Sequence, residues 1–197
     1  MNHGRHWTVL LVIAIAGAIP CLQGETQTQT QPPAAWYQRG WSDLQNTWLS
    51  NQWDLYLPFY EWHNRAMYGS DVRRYNYNEN AWGLGIGKSH INTRGNRCSL
   101  YAIAFLDSFR KIEPQAGLMW QKIWRDKTDA WRLTLGLSAG LTARSDLYNY
   151  APFPYVLPVL GVEYRRITLE CTYIPSLTWL HVNERGNILL LWSRLRL

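Results

Sequence analysis

From Trp131 to Ala143 the chain alternates without a break. Trp131, Leu133, Leu135, Leu137, Ala139 and Leu141 fall on one face, and Arg132, Thr134, Gly136, Ser138, Gly140 and Thr142 on the other. Period two is the repeat of a β-strand, and a run of this length matches the roughly 9–11 residues that a tilted strand needs to cross a bilayer. Strands of soluble sandwiches alternate too, but are usually shorter, about 5–6 residues. The segment therefore limits the chain to two architectures, a transmembrane β-barrel with lipid on the leucine face or a soluble β-sandwich. The rest of the sequence favours the barrel.

Residues 1–24 place Arg5 between His3 and His6, continue through an apolar run from Trp7 to Ile19, and then turn polar. This is the pattern of a secretory signal, and the run is shorter than the about 20 residues of a spanning helix. Cleavage is expected near Ala18 or Gly24. Pro20 precedes Cys21 where a lipid-attachment signal wants a small residue, so the cysteine is expected to leave with the signal. Residues 25–35, rich in Gln, Thr and Pro, read as a disordered spacer. The 197 residues include 12 Trp and 12 Tyr, amphipathic rings that gather at membrane interfaces, with an aromatic-rich carbohydrate binder as the alternative. A net charge of +6 suits anionic partners, and around a barrel these are lipid phosphates. Export argues against a nucleic-acid partner.

Residues 36–50 carry Tyr37, Trp41, Leu44 and Trp48 on one stripe at helical spacing, the pattern of an amphipathic helix at a membrane surface. The periodicity alone equally fits a helix packed on a soluble core. Residues 51–197 then contain eight strand-like stretches, at 54–69, 80–91, 97–107, 114–125, 130–143, 154–164, 166–175 and 187–197. Long polar connections alternate with short turns, as in small outer-membrane barrels, which places both termini in the periplasm. Cys98 and Cys171 lie on the apolar faces of different strands and supply no metal-binding spacing.

The inward face sets the chemistry. Gly83, Gly85 and Gly87 on the second strand and Gly136, Ser138 and Gly140 on the fifth leave lumen space for a ligand, or else permit strong coiling and close backbone approach. Tyr101, Ile103 and Phe105 offer an apolar slot suited to an acyl chain. Glu61, His63 and Arg65 point inward near the outer end of the first strand, and Asp107 and Ser108 close the third. A His, an Asp and a Ser at one mouth can perform acyl transfer, or can form a structural polar cluster. Pro58, Pro158 and Pro175 lie in or beside strands, where each removes a ladder hydrogen bond and opens a gap through which a lipid tail could pass, or marks an edge bulge.

The segments Asp54-Leu-Tyr-Leu-Pro58, Trp62-His63, Ala102-Ile-Ala-Phe-Leu-Asp107-Ser108-Phe, Glu113-Pro114, Gly140-Leu-Thr-Ala-Arg144, Leu157-Pro158, Thr172-Tyr-Ile-Pro175, Gly186-Asn187 and Trp192-Ser-Arg194 together resemble the lipid A palmitoyltransferase family, PagP. The likeness runs in order from about Trp41 to Leu197, departing in the N-terminal spacer and the long final outer loop. It implies an eight-stranded antiparallel transmembrane β-barrel with an N-terminal amphipathic helix, a monomer in the cell outer membrane. The implied activity moves a palmitoyl or similar chain from the sn-1 position of a phospholipid donor to a hydroxyl on an acyl chain of lipid A, the lipopolysaccharide acceptor, with no metal, nucleotide or other cofactor.

Residue by residue, the resemblance implies catalytic roles for His63 as base, Asp107 as its orienting group and Ser108 as acyl carrier or oxyanion donor, with lateral lipid entry at Pro58, Pro158 and Pro175. Ala81 stands where some members carry a further proline, and Cys98 where members can carry a His linked to lipopolysaccharide recognition. Met119 occupies the floor of the family's acyl pocket, where a small residue is usual, and implies a donor chain shorter than palmitoyl. The competing function is a non-catalytic outer-membrane barrel serving lipid binding, adhesion or envelope integrity.

Overall fold

The computed structural model describes residues 35–65, 77–175 and 187–197. The expected signal segment, all but the last residue of the expected spacer, and parts of two connections (66–76 and 176–186) lie outside the described residues. One helix, α1 (Trp36–Leu49), precedes eight strands: β1 (Trp53–His63), β2 (Gly83–Ile91), β3 (Asn96–Leu106), β4 (Ile112–Arg125), β5 (Trp131–Thr142), β6 (Phe153–Tyr164), β7 (Ile167–Ile174) and β8 (Ile188–Arg196). Each pairs antiparallel with the next, and β8 returns to β1, closing the barrel. Closure leaves no strand at a free edge, the condition for a sheet to stand in hydrocarbon.

Short turns join the strands at the end that carries α1 and Leu197. The Asn92 side chain ties one of them by accepting from the amides of Arg94 and Asn96, both at 3.0 Å, while Gly95 adopts a φ of 75° that favours glycine. At the opposite end, the mouth, the β1–β2, β5–β6 and β7–β8 connections are longer, while β3 and β4 are joined by a short one. Outward leucines of β5 stand in the open, Leu137 54% exposed, so the apolar face of the founding pattern covers no protein core.

Helix α1 lies against β2 and β3. Its polar side makes the contact: Asn92 donates to the Asp43 carboxylate at 2.9 Å, and Lys88 donates to the Trp48 carbonyl at 2.9 Å. Tyr37, Trp41 and Trp48 face away, exposed. The stripe is thus not packed on a core, and interfacial burial is the arrangement that would cover it. Cys98 does point outward, yet it is half-buried beneath α1, where the Thr47 hydroxyl approaches its carbonyl at 3.4 Å. Cys171 is a second free, half-buried thiol.

A β-bulge changes the side-chain parity of β1. Its register against β8 shifts between Pro58 and Tyr60, leaving Phe59 as the extra residue. Asp54, Tyr56 and Pro58 point inward before it, and Glu61 and His63 point inward after it.

Charged residues fill the half of the lumen nearest α1. The Glu163 carboxylate is bound by Arg97, by Arg132 at 2.8 Å and by Arg196 at 3.3 Å. Arg194 reaches Glu170 at 3.4 Å and Asp54 at 3.7 Å, and the Trp192 indole donates to Glu170 at 2.7 Å. Gln121 bridges to Glu170 from the opposite wall at 2.9 Å. Charges buried this deeply persist because they are paired.

Two ladders stop short. β1 pairs with β2 only from Trp53 to Tyr56, and β6 pairs with β7 only from Val159 to Tyr164. Pro58 follows the end of the first ladder, and Pro158 precedes the second, where the Thr172 hydroxyl donates to its carbonyl at 2.7 Å. Pro175 continues directly from the mouth end of β7. The first gap is present with an alanine at position 81, and Pro58, just beyond the last paired residue, has no N–H to offer the ladder.

Candidate active site

The end of β1 and the connection that follows β3 bring His63 and Ser108 together at the mouth. His63 Nε2 lies 3.0 Å from Ser108 Oγ, and both side chains are buried. Ser108 Oγ also lies 3.1 Å from Glu61 Oε1, which is 3.8 Å from His63 Nε2. The hydroxyl has one proton and two acceptors within reach, so it is held between a carboxylate and an imidazole. The His63 ring stacks on Tyr77, with centroids 4.9 Å apart and planes at 5°. Stacking fixes the ring plane, and the backbone bond from Glu61 N to Glu79 O at 2.8 Å pins the segment beside it.

Asp107 is buried next to Ser108 but is turned away from the imidazole. Its Oδ1 accepts from the amides of Phe109 and Lys111, both at 2.8 Å, and its Oδ2 takes the Ser145 hydroxyl at 3.4 Å. The orienting role that the resemblance assigned toward His63 is not seen in this geometry, because the short β3–β4 connection needs an acceptor for its own amides. Asp107 organises the turn that presents Ser108. Arg65, expected inward, is exposed and pairs with Glu79 at 2.9 Å, since β1 ends at His63.

Glu61 and Tyr77 are the contacts to the pair that the motif reading passed over. Glu61 carried a signal, since inward parity with His63 was legible. Tyr77 carried none, lying in an irregular connection. Arg144 adds positive charge to the mouth, 3.6 Å from Glu113 and 3.1 Å from Asp146. Burial pulls its guanidinium down, but Glu113 and Asp146 more than offset this, so its affinity for the proton lies above the ordinary value and it stays charged.

Below the pair is a narrow cavity of about 20 Å³, mostly apolar, walled by Ile103, Leu157, Val159, Leu190 and Trp192 among others. Met119 lines it and is buried, as expected of a floor residue. The glycines of β2 do not enlarge it. A Cβ on Gly83 or Gly85 would meet Phe105 or Ile103 of the paired strand, so these positions serve close cross-strand approach. Among the described residues no group of three His, Cys, Asp or Glu side chains is placed to hold a metal ion.

The family model described as "Antimicrobial peptide resistance and lipid A acylation protein PagP" matches residues 43–194. A protein of Laribacter hongkongensis (strain HLHK9) named lipid A acyltransferase PagP is 48% identical over 165 residues, covering 84% of this chain and 76% of the relative. One of the same name from Bordetella pertussis (strain Tohama I) is 44% identical over 160 residues, 81% of this chain and 84% of its own. A third, from Dickeya chrysanthemi (strain Ech1591), is 36% identical over 190 residues, 94% and 92% of the two chains. The matched span begins inside α1 and reaches into all eight strands, so the barrel and the His–Ser mouth fall within one continuous likeness, and the chain belongs to the PagP family.

Proposed function

We propose that this chain is a lipid A acyltransferase of the outer membrane, moving an acyl chain from the sn-1 position of a phospholipid to a hydroxyl on an acyl chain of lipid A. The observation that carries the reading is the 3.0 Å contact of His63 with Ser108 at the mouth, above a narrow apolar lumen. His63 takes the proton of the attacking hydroxyl, the acceptor's own or that of Ser108. That oxygen forms the new ester, the sn-1 ester bond breaks, and the lysophospholipid leaves with a proton returned from the imidazole; where the oxygen is that of Ser108, the lipid A hydroxyl, deprotonated by His63, then attacks the acyl-serine, the acyl–Ser108 bond breaks, and Ser108 takes the proton back. The two incomplete ladders supply lateral ways in for a tail. Cys98 is half-buried beneath α1, at the end of the barrel opposite the His63–Ser108 pair, and no role in lipopolysaccharide recognition is proposed for it.

Mass spectrometry of lipid A, after incubating the detergent-folded barrel with phospholipid, tests this reading. One added acyl chain per lipid A, with matching lysophospholipid, is expected. An unmodified lipid A from a verified fold would overturn the transferase and leave a lipid binder.

The exposed leucines, the girdle of Trp and Tyr and the outward stripe of α1 support a monomer standing in the outer membrane, with its mouth in the outer leaflet and α1 on the periplasmic side. Leu137→Arg, at the middle of β5, is accordingly expected to lower folding stability in bilayers by about 2–4 kcal/mol. Urea titration of the barrel in lipid vesicles reads that change, and a neutral result would argue that β5 does not face lipid.

A further inference from the structure

One row of cross-strand partners runs Gly87, Tyr101, Gly117, Gly140 and Tyr155 from β2 to β6. Two tyrosines thus flank two glycines. A Cβ on Gly117 would stand 2.5 Å from the Tyr155 hydroxyl, and one on Gly140 would stand 2.8 Å from it. The Tyr155 side chain therefore passes over both glycines and carries its hydroxyl toward β3. There it bonds the Tyr101 hydroxyl, and Ser138 Oγ joins both, 3.4 Å from Tyr155. Three hydroxyls, each able to donate and accept, satisfy one another without a ligand.

The result is a bar across the lumen. On its mouth side the next inward pair is Ile103 and Gln115, and on its far side the next is Ser99 and Met119. Gln115, Ile103, both tyrosines and Met119 all line the one cavity. A chain descending from His63 therefore meets the bar before it meets Met119.

We propose that the Tyr101–Tyr155 bar is the primary gauge of donor chain length, and that Met119 limits only what passes it. The proposal rests on the acyl-transfer reading above. A pocket wall discriminates one methylene by roughly 10-fold or more, so the position of the first rigid obstruction sets the preferred donor.

The test gives wild type, Tyr155→Val, Tyr155→Phe and Met119→Gly a mixture of phospholipids with stepped sn-1 chains, and reads the mass added to lipid A. Tyr155→Val is expected to move the preferred donor to a longer chain by several methylenes, raising the long-to-short product ratio at least about 10-fold. Tyr155→Phe keeps the ring and the preference, and Met119→Gly alone leaves the preference where it was. Val suits an edge-exposed strand position, and unheated gel mobility verifies that each barrel is closed. An unchanged profile in a folded Tyr155→Val barrel overturns the proposal, as does a Met119→Gly shift as large as that of Tyr155→Val. If wild type transfers nothing, the transferase reading has failed, and the bar is tested by binding. Stabilisation of wild type by lysophospholipids against thermal unfolding is then expected to stop growing at a shorter chain than it does for Tyr155→Val, and equal limits overturn it.

Discussion

His63→Ala and Ser108→Ala barrels fold and lose about 10²–10⁴-fold in acyl transfer. The size follows from what each removes. Without the imidazole the acceptor left within reach of Ser108 Oγ among the described residues is the Glu61 carboxylate at 3.1 Å, and the ring 3.0 Å away that would return a proton to the leaving lysophospholipid is gone. Without Ser108 the imidazole loses the group that holds its Nε2 at 3.0 Å. Two further variants separate the roles. Asp107→Asn keeps an acceptor for the Phe109 and Lys111 amides and is expected to retain most activity, whereas Asp107→Ala releases the turn and slows transfer. If Asp107→Asn is as damaging as His63→Ala while the barrel stays closed, the carboxylate acts by charge on the imidazole and the turn-organising role fails. Initial rates by mass spectrometry, normalised to folded protein, decide between these.

Arg194→Met is expected to destabilise the barrel by about 3–5 kcal/mol, the cost of leaving buried carboxylates without their cation. Arg194 is 3% exposed and lies 3.4 Å from Glu170, 3.7 Å from Asp54 and 3.7 Å from Glu163. Its removal strands three acids at once, although Glu163 keeps its other guanidinium partners. Pairing the change with Glu170→Gln removes one stranded charge and is expected to restore part of the loss. Reversible urea unfolding in detergent measures both. A single variant as stable as wild type would show that water or neighbouring arginines absorb the change, and that the ion cluster is not a cooperative unit.

Much of the barrel was legible because period two is a local property. Each strand declares its lipid face by its own residues, as the leucines of β5 do, and the ends of the strands follow from polar connections. The first strand shows where that logic stops: the bulge at Phe59 flips its parity, so Tyr56 and His63 share the lumen only because one residue is extra. The site was legible through its motif as far as His63 and Ser108. Tyr77 was not, since a ring brought by an irregular connection has no pattern to betray it. The partners of Asp107 were not legible, since the amides of Phe109 and Lys111 that claim its carboxylate become visible only in three dimensions. The Arg97–Glu163 pair and the Tyr101–Tyr155 bar join residues far apart in sequence, where only the closure of the barrel sets the partner. The β2 glycines carried two readings, and side-chain crowding from β3 decides for close approach.

The ion cluster at the α1 end also bears on what this protein must not do. A membrane defends its cell by refusing passage, and every barrel inserted into it is a potential leak. Here oppositely charged side chains interlock across the full width of the lumen, leaving a blind well where a wider barrel would leave a channel. In planar bilayers the protein is expected to be electrically silent, so the barrier stays intact around the enzyme that modifies it.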